Sequence, residues 1–190
     1  MTYPTPYDLL ERLATLLLAE ERRLGGEWAL QPVHLRVLRF LGRANRYSDT
    51  PAAVAEYLGL GKGTASQSLI LLQEKGLVGA HPDAKDGRKR HLSLTALGRK
   101  VARRTTPPPL FRDALDRLGE HTEPLGASLL ALLKALQDSG GSRAFGVCET
   151  CAHCEHSEGE RSFRCGLTGE RLKLRETQLI CREHTDPAPG

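Results

Sequence analysis

Five cysteines fall within the last 43 residues of a 190-residue chain, and none in the first 147. Cys148-x-x-Cys151-x-x-Cys154 is followed by Cys165, by Cys181 and, three residues on, by His184, which is more soft ligands than one ion takes. A disulfide framework would leave one thiol over. Met1 to Pro6 also lacks a basic region followed by an apolar stretch, so an oxidising compartment is not expected and a cytoplasmic location is. Metal or redox chemistry suits the pattern better. The large apolar side chains here are Phe145, Phe163, Leu167, Leu172, Leu174, Leu179 and Ile180, too few to hold about 50 residues together without a staple. Four thiolates would provide one, around a tetrahedral Zn²⁺ or an iron–sulfur cluster. Spacing alone leaves both open.

The elements ahead of this module read as mainly helical. Leu10, Leu13, Ala14, Leu17 and Leu18 keep helical spacing between Pro6 and Leu24, and Leu9 and Leu16 widen the stripe beyond what one neighbour covers. A second helix begins at Pro32, with Val33, Val37, Phe40 and Leu41 inward. Thr50 caps a short third helix ending near Leu58, with Val54, Tyr57 and Leu58 inward. After Gly59-Leu60-Gly61 a fourth helix reaches about Lys75, placing Ala65, Leu69 and Leu72 in the core and Lys62, Gly63, Ser66 and Gln67 opposite. Two strands, Leu77 to His81 and Arg90 to Leu94, join through Pro82 and an Asp86-Gly87 turn. Thr95 caps a fifth helix, which Pro107-Pro108-Pro109 must interrupt. Helicity resumes with Phe111, Leu115 and Leu118. A last helix, about Pro124 to Gln137, carries Leu125, Leu129, Leu132, Leu133 and Leu136 on one face. Ser139-Gly140-Gly141-Ser142 predicts a flexible linker. The divisions are residues 1–138, a linker 139–146, a cysteine module 147–185 and a frayed tail 186–190.

The net charge of +4 is unevenly spread. Residues 61–104 hold ten Lys or Arg against three Asp or Glu, whereas residues 1–60 balance and residues 105–190 are net acidic. A helix with small polar residues on its outer face fits a major groove, and a basic hairpin bearing Lys85, Arg88, Lys89 and Arg90 reaches the neighbouring backbone or minor groove. The pattern is a winged helix-turn-helix, and double-stranded DNA is the expected partner.

Residues 61–76 (GKGTASQSLILLQEKG) resemble the recognition helix of the MarR family of dimeric bacterial regulators. Asp83-x-x-Asp86-Gly87-Arg88 and Leu92-Ser93-Leu94-Thr95-Ala96-Leu97-Gly98 resemble that family's wing and the entry to its next helix, so the likeness covers roughly residues 6–138. It implies a homodimer joined through long N- and C-terminal helices, on a palindromic operator. Thr64, Ser66 and Gln67 would face bases, Lys62 a phosphate and Arg88 the minor groove, while Asp86 would shape the wing. Gly61 stands where the family usually has Ser or Thr as N-cap, and Ile70 and Leu71 where polar or basic residues are common. The module is similar to a cysteine-rich extension on some MarR-like regulators. That likeness implies a [4Fe–4S] cluster on Cys148, Cys151, Cys165 and Cys181, with Cys154 and His184 as alternates, and Zn²⁺ as the other cofactor.

Enzyme patterns fail here. His153-Cys154-Glu155 lacks the downstream P-C-x-x-C of zinc deaminases. Cys148-x-x-Cys151 lacks a thioredoxin-like βαβ frame, and Gly59 to Thr64 matches neither G-x-G-x-x-G nor a P-loop. His34, His81, His91 and His121 read as packing or surface residues. The longest leucine run, Leu16 to Ala19, is far too short to span a bilayer. The expectation is a DNA-binding regulator, acting as a repressor, whose cluster reports iron, oxygen or redox state by shifting the dimer helices. The alternative is constitutive DNA binding with a zinc-stapled tail that recruits a partner protein. A small-molecule effector is compatible with either.

Overall fold

The computed structural model describes residues 4–84, 86–141, 143–156 and 162–187. Helix α1 (Pro6–Gly26) starts in a capping box: Thr5 Oγ1 accepts from the Asp8 amide and Asp8 accepts from the Thr5 amide at 2.8 Å. Helices α2 (Pro32–Leu41) and α3 (Pro51–Tyr57) also begin at prolines, and Thr50 caps α3 by accepting from the Ala53 amide. Gly59, at φ +62°, turns the chain into α4 (Lys62–Glu74), and Gly76, at φ +64°, ends it. Strands β1 (Val78–Pro82) and β2 (Arg90–Leu94) pair antiparallel, Val78 opposite Leu94 and His81 opposite His91. Thr95 caps α5 (Ala96–Thr105), which presses so closely on the strands that a Cβ at Gly98 would lie 2.0 Å from the Leu77 carbonyl oxygen.

Leu35, Val37, Leu38, Phe40, Val54, Leu72 and Val101 form the centre of one core between α2, α3, α4, β2 and α5. This is the expected winged helix-turn-helix. Tyr57, expected inward, is 40% exposed; its ring instead stacks on Phe40 at 4.5 Å from the helix end. No helix is long and apolar enough to cross a membrane among the described residues.

Helices α6 (Pro109–Leu118) and α7 (Thr122–Gly140) bury none of their residues, and α1 is buried only in its last turns. Leu9, Leu13 and Leu16 of α1 and Leu129, Leu130, Leu133 and Leu136 of α7 stand exposed. The base of α1 is anchored by Glu21, a buried carboxylate that accepts from Arg36 at 2.9 Å and Arg39 at 2.7 Å on α2.

The cysteine region is not tethered at a distance. Helix α7 continues through Ser139 and Gly140, expected in the linker, and closes at Gly141 in the left-handed conformation. Ser142 lies outside the described residues, as do Lys85 of the expected basic tip and residues 188–190 of the expected tail. Strand β3 (Gly146–Val147) then pairs with β7 (Ile180–Cys181), while β4 (Cys154–His156), β5 (Phe163–Cys165) and β6 (Arg171–Leu172) form a second small sheet beside the short α8 (Leu174–Thr177). Ile180 and Phe145 pack into the main core, Phe145 edge-on to Phe40 and Tyr57.

The docking runs along residues 43–48. The Ile180 amide donates to the Arg43 carbonyl at 2.7 Å, the Asn45 amide to the Ile180 carbonyl at 2.9 Å, and the Arg182 amide to Ser48 Oγ at 2.7 Å. Arg46 reaches Glu176 and Glu170.

Because Ile180 fills the common core, Ile180→Ala should destabilise the whole chain by ~3 kcal/mol. The reporter is Trp28, the only tryptophan, which packs on that core. Its denaturant-induced transition should move to lower denaturant; an unmoved transition would mean that module and body unfold independently.

Candidate nucleic-acid interface and thiol centre

Helix α4 buries Ala65, Ser68, Leu69 and Leu72, so the 3.6-residue period turns Lys62, Thr64, Ser66 and Gln67 to solvent. Gly61 caps it without a side-chain hydrogen bond. The two departures from the expected pattern separate: Leu71 packs against the core, whereas Ile70 is 50% exposed on the open face. Beside α4 the wing turn is built by carboxylates. Asp86 Oδ1 accepts from the Arg88 amide at 3.1 Å and from Arg88 Nε at 3.2 Å, and the Asp86 amide donates to Asp83 Oδ1 at 2.7 Å. Arg88 is thereby held at the tip yet 93% exposed. Lys89 and Arg90 are exposed too, and Lys89 pairs through its backbone with Asp83. Between α4 and the wing lies a groove of ≈ 800 Å³, lined by Lys62, Ser66, Ile70 and Arg90, with Ala52 and Glu56 of α3 on its far side.

His91, read from sequence as a packing or surface residue, has a more specific place. Its Nδ1 meets Asp49 Oδ1 at 2.5 Å and its Nε2 meets Asp83 Oδ2 at 2.9 Å, while the cross-strand His81 ring stacks at 5.7 Å. The imidazole thus ties the wing to the α2–α3 connection. The hydrogen bonds to Asp49 and Asp83 hold its pKa above the ordinary value, and burial pushes Asp49 above the usual carboxylate range. Register could have revealed this, since a two-stranded hairpin closing at Asp86-Gly87 puts His81 opposite His91. Asp49, 42 residues away, gave no local signal.

All five cysteines line one small cavity, together with Tyr47, His153, Leu172 and Glu183. None is in a disulfide. Cys148 and Cys181 are buried and share a hydrogen bond in which Cys148 donates; that bond, with the Asn45 amide group and a backbone N–H, holds Cys181 below the ordinary thiol value, while Cys148 is pushed up. Asn45 also approaches Cys148 Sγ at 3.8 Å. Burial raises Cys154. His184 does not line the cavity: its Nε2 meets Thr150 Oγ1 and the Thr150 carbonyl, both at 3.2 Å, and its buried Nδ1 has no partner. Among the described residues no three His, Cys, Asp or Glu side chains gather closely enough to hold a single metal ion.

Two outcomes follow. Arg88→Ala should weaken binding to duplex DNA and reduce the steepness of its salt dependence by about one unit of slope, measured by titration at several salt concentrations; unchanged affinity would remove the wing tip from the interface. Protonated His91 is bound more tightly folded than unfolded, so its contribution is complete below about pH 6.5 and fades as the pH rises through its folded value. The thermal midpoint should therefore fall as the pH rises from about 6.5 in the wild type and fall less in His91→Gln. Parallel profiles would dissolve the clamp.

A model described as MarR family matches residues 30–89. A MarR-family transcriptional regulator from Silicibacter pomeroyi is 26% identical, over 69% of this chain and 87% of that one, with a TM-score of 0.57. FabT of Streptococcus pneumoniae, in complex with DNA, is 25% identical over 68% of this chain and 93% of its own, also at 0.57. MepR of S. aureus in its DNA-binding conformation shares the fold at TM-score 0.61, with 22% identity over 70% of this chain and 99% of that one. The comparison with curated proteins gave no match. Residues 30–89, with their exposed α4 face and carboxylate-braced basic wing, thus match the MarR-family model and share the winged-helix fold of these regulators.

Proposed function

We propose that the chain is a homodimeric, sequence-specific repressor whose cysteine module holds a [4Fe–4S] cluster and reports iron, oxygen or redox state. The observation that carries the sensing is the shared splice: residues 43–49 bind the module through Ile180 and Arg182 on one side and the wing through His91 and Leu92 on the other. A change at the thiols therefore has a route to the DNA-contacting elements shorter than one through the dimer helices. DNA as partner is supported by the exposed polar face of α4 and by FabT and MepR, both described bound to DNA. Dimerisation is supported by the bare leucines of α1 and α7, an apolar expanse that a lone domain does not leave in water.

What supports the cluster is that all five cysteines line one cavity, and four thiolates are what such a cluster takes. Cys148, Cys151, Cys165 and Cys181 would hold it, Cys154 remaining as a fifth thiol on the same wall. When bound, such a cluster supplies reversible one-electron chemistry. Around it the chain provides a buried Cys181 thiol held below the ordinary thiol value by its hydrogen bond from Cys148, the Asn45 amide directed at sulfur, and Tyr47, whose pKa burial pushes up to about 12 and whose hydroxyl donates to Glu170.

Anaerobic purification tests the reading. Brown protein containing iron and sulfide, sedimenting at twice the 20.8 kDa chain mass, is the expected result. Cluster-loaded and cluster-free protein should then bind a selected duplex with different affinities. Colourless protein with one zinc per chain would overturn the cluster, and equal affinities would leave the module a structural role.

A further inference from the structure

Arg182 follows Cys181 directly, yet it lines the groove between α4 and the wing together with Lys62 and Arg90. Its base is fixed, because its amide donates to Ser48 Oγ at 2.7 Å. Its Nε donates to Glu56 on α3 at 2.5 Å, and Arg143 Nε donates to the other Glu56 oxygen at 3.0 Å. Arg143 Nη1 also donates to Glu183 at 3.2 Å, so two guanidiniums and two carboxylates balance along this edge. The bond to Glu56 uses one of the five N–H donors of Arg182, and Nη1 makes only a loose approach of 4.0 Å to Glu183.

We propose that Arg182 is a DNA-backbone contact supplied by the cysteine module, completing the phosphate-binding edge that Lys62 and Arg90 begin. The proposal rests on reading α4 and the wing as the DNA interface. Glu56 gives it a physical reason. A bare carboxylate beside the recognition helix would repel phosphate; pairing by Arg143 and Arg182 cancels that charge, and the remaining Arg182 N–H donors are left for a phosphate oxygen in the fork geometry guanidinium favours. Arg182 is partly exposed, as a residue that bonds both the protein and a ligand must be. The module is thus part of the reading surface rather than an appendage behind it.

The test uses full-length protein and a duplex selected by the wild type from a random-sequence library, with affinity measured over a range of salt. Arg182→Gln should weaken binding several-fold and lower the salt slope by about one. Arg182→Lys should keep the slope. Glu56→Gln should move affinity the opposite way, tightening it, because a charge that repels phosphate is gone. If the Arg182–Glu56 pair only holds the module in place, Glu56→Gln and Arg182→Gln will both weaken binding with the slope unchanged, which overturns the proposal. Should Arg182→Gln fail to fold, Glu56→Gln and Arg182→Lys decide: weaker binding by the first, or a lowered slope in the second, overturns it. Lys62→Ala is the control for the interface itself. If it too changes nothing and wild-type binding is insensitive to salt, the interface reading fails along with Arg182; if Lys62→Ala weakens binding while Arg182→Gln does not, only the role of Arg182 falls.

Discussion

The structure depends on how residues 42–50, between α2 and α3, satisfy their backbone. A connection of this kind has polar groups that helices do not pair, and a buried amide left without a partner costs ~1–3 kcal/mol. Here the Arg43 carbonyl and the Asn45 amide pair with Ile180, while the Asp49 carbonyl accepts from the Leu92 amide at 2.7 Å. Asn45 organises the interior of the turn. Its Oδ1 accepts from the Tyr47 amide and from Ser48 Oγ, and its Nδ2 faces Cys148. One short segment therefore joins the thiol centre to the wing, and neither can move far without breaking bonds to it.

Apolar burial holds this junction together, and charge chooses its register. Ile180 and Phe145 give the module a share of a core it could not assemble from its own side chains, at ~25 cal/mol per Å² removed from water. The ion pairs of Arg46 with Glu170 and Glu176, and of Glu56 with Arg143 and Arg182, are partly exposed. Pairs of that kind contribute at most about 1 kcal/mol each. Their effect is directional: with the wrong register, several like or unmatched charges would face one another along the same seam.

Local chemistry in the sequence carried much of this. Prolines at helix starts, Thr50 and Thr95 as caps, glycines after α3 and α4, and the carboxylates of the wing turn each act within a few residues, so the helix-turn-helix and its wing were legible. The five thiols were legible as a group because their types and spacing are unusual. What could not be read was the seam. Arg46 and Glu176 are 130 positions apart, Arg182 and Glu56 126, and Asn45 and Cys148 103; no periodicity links such residues. The expected linker failed for a related reason. Ser139 and Gly140 favour a flexible chain when nothing else acts, but they continue a long helix whose end is set by Gly141. His91 was undervalued because its meaning lies in Asp49, supplied by a distant turn.

The anchoring of α1 has a mechanical consequence. Only its base is gripped, by Glu21 between Arg36 and Arg39, while the remainder projects as a stiff rod. Its 21 residues span about 31 Å, so a tilt of about 5° at the grip sweeps the far end through ~3 Å. Two guanidiniums on neighbouring turns of α2 thus act as the fulcrum of a lever, and small rearrangements in the body become displacements of side-chain size at the tip.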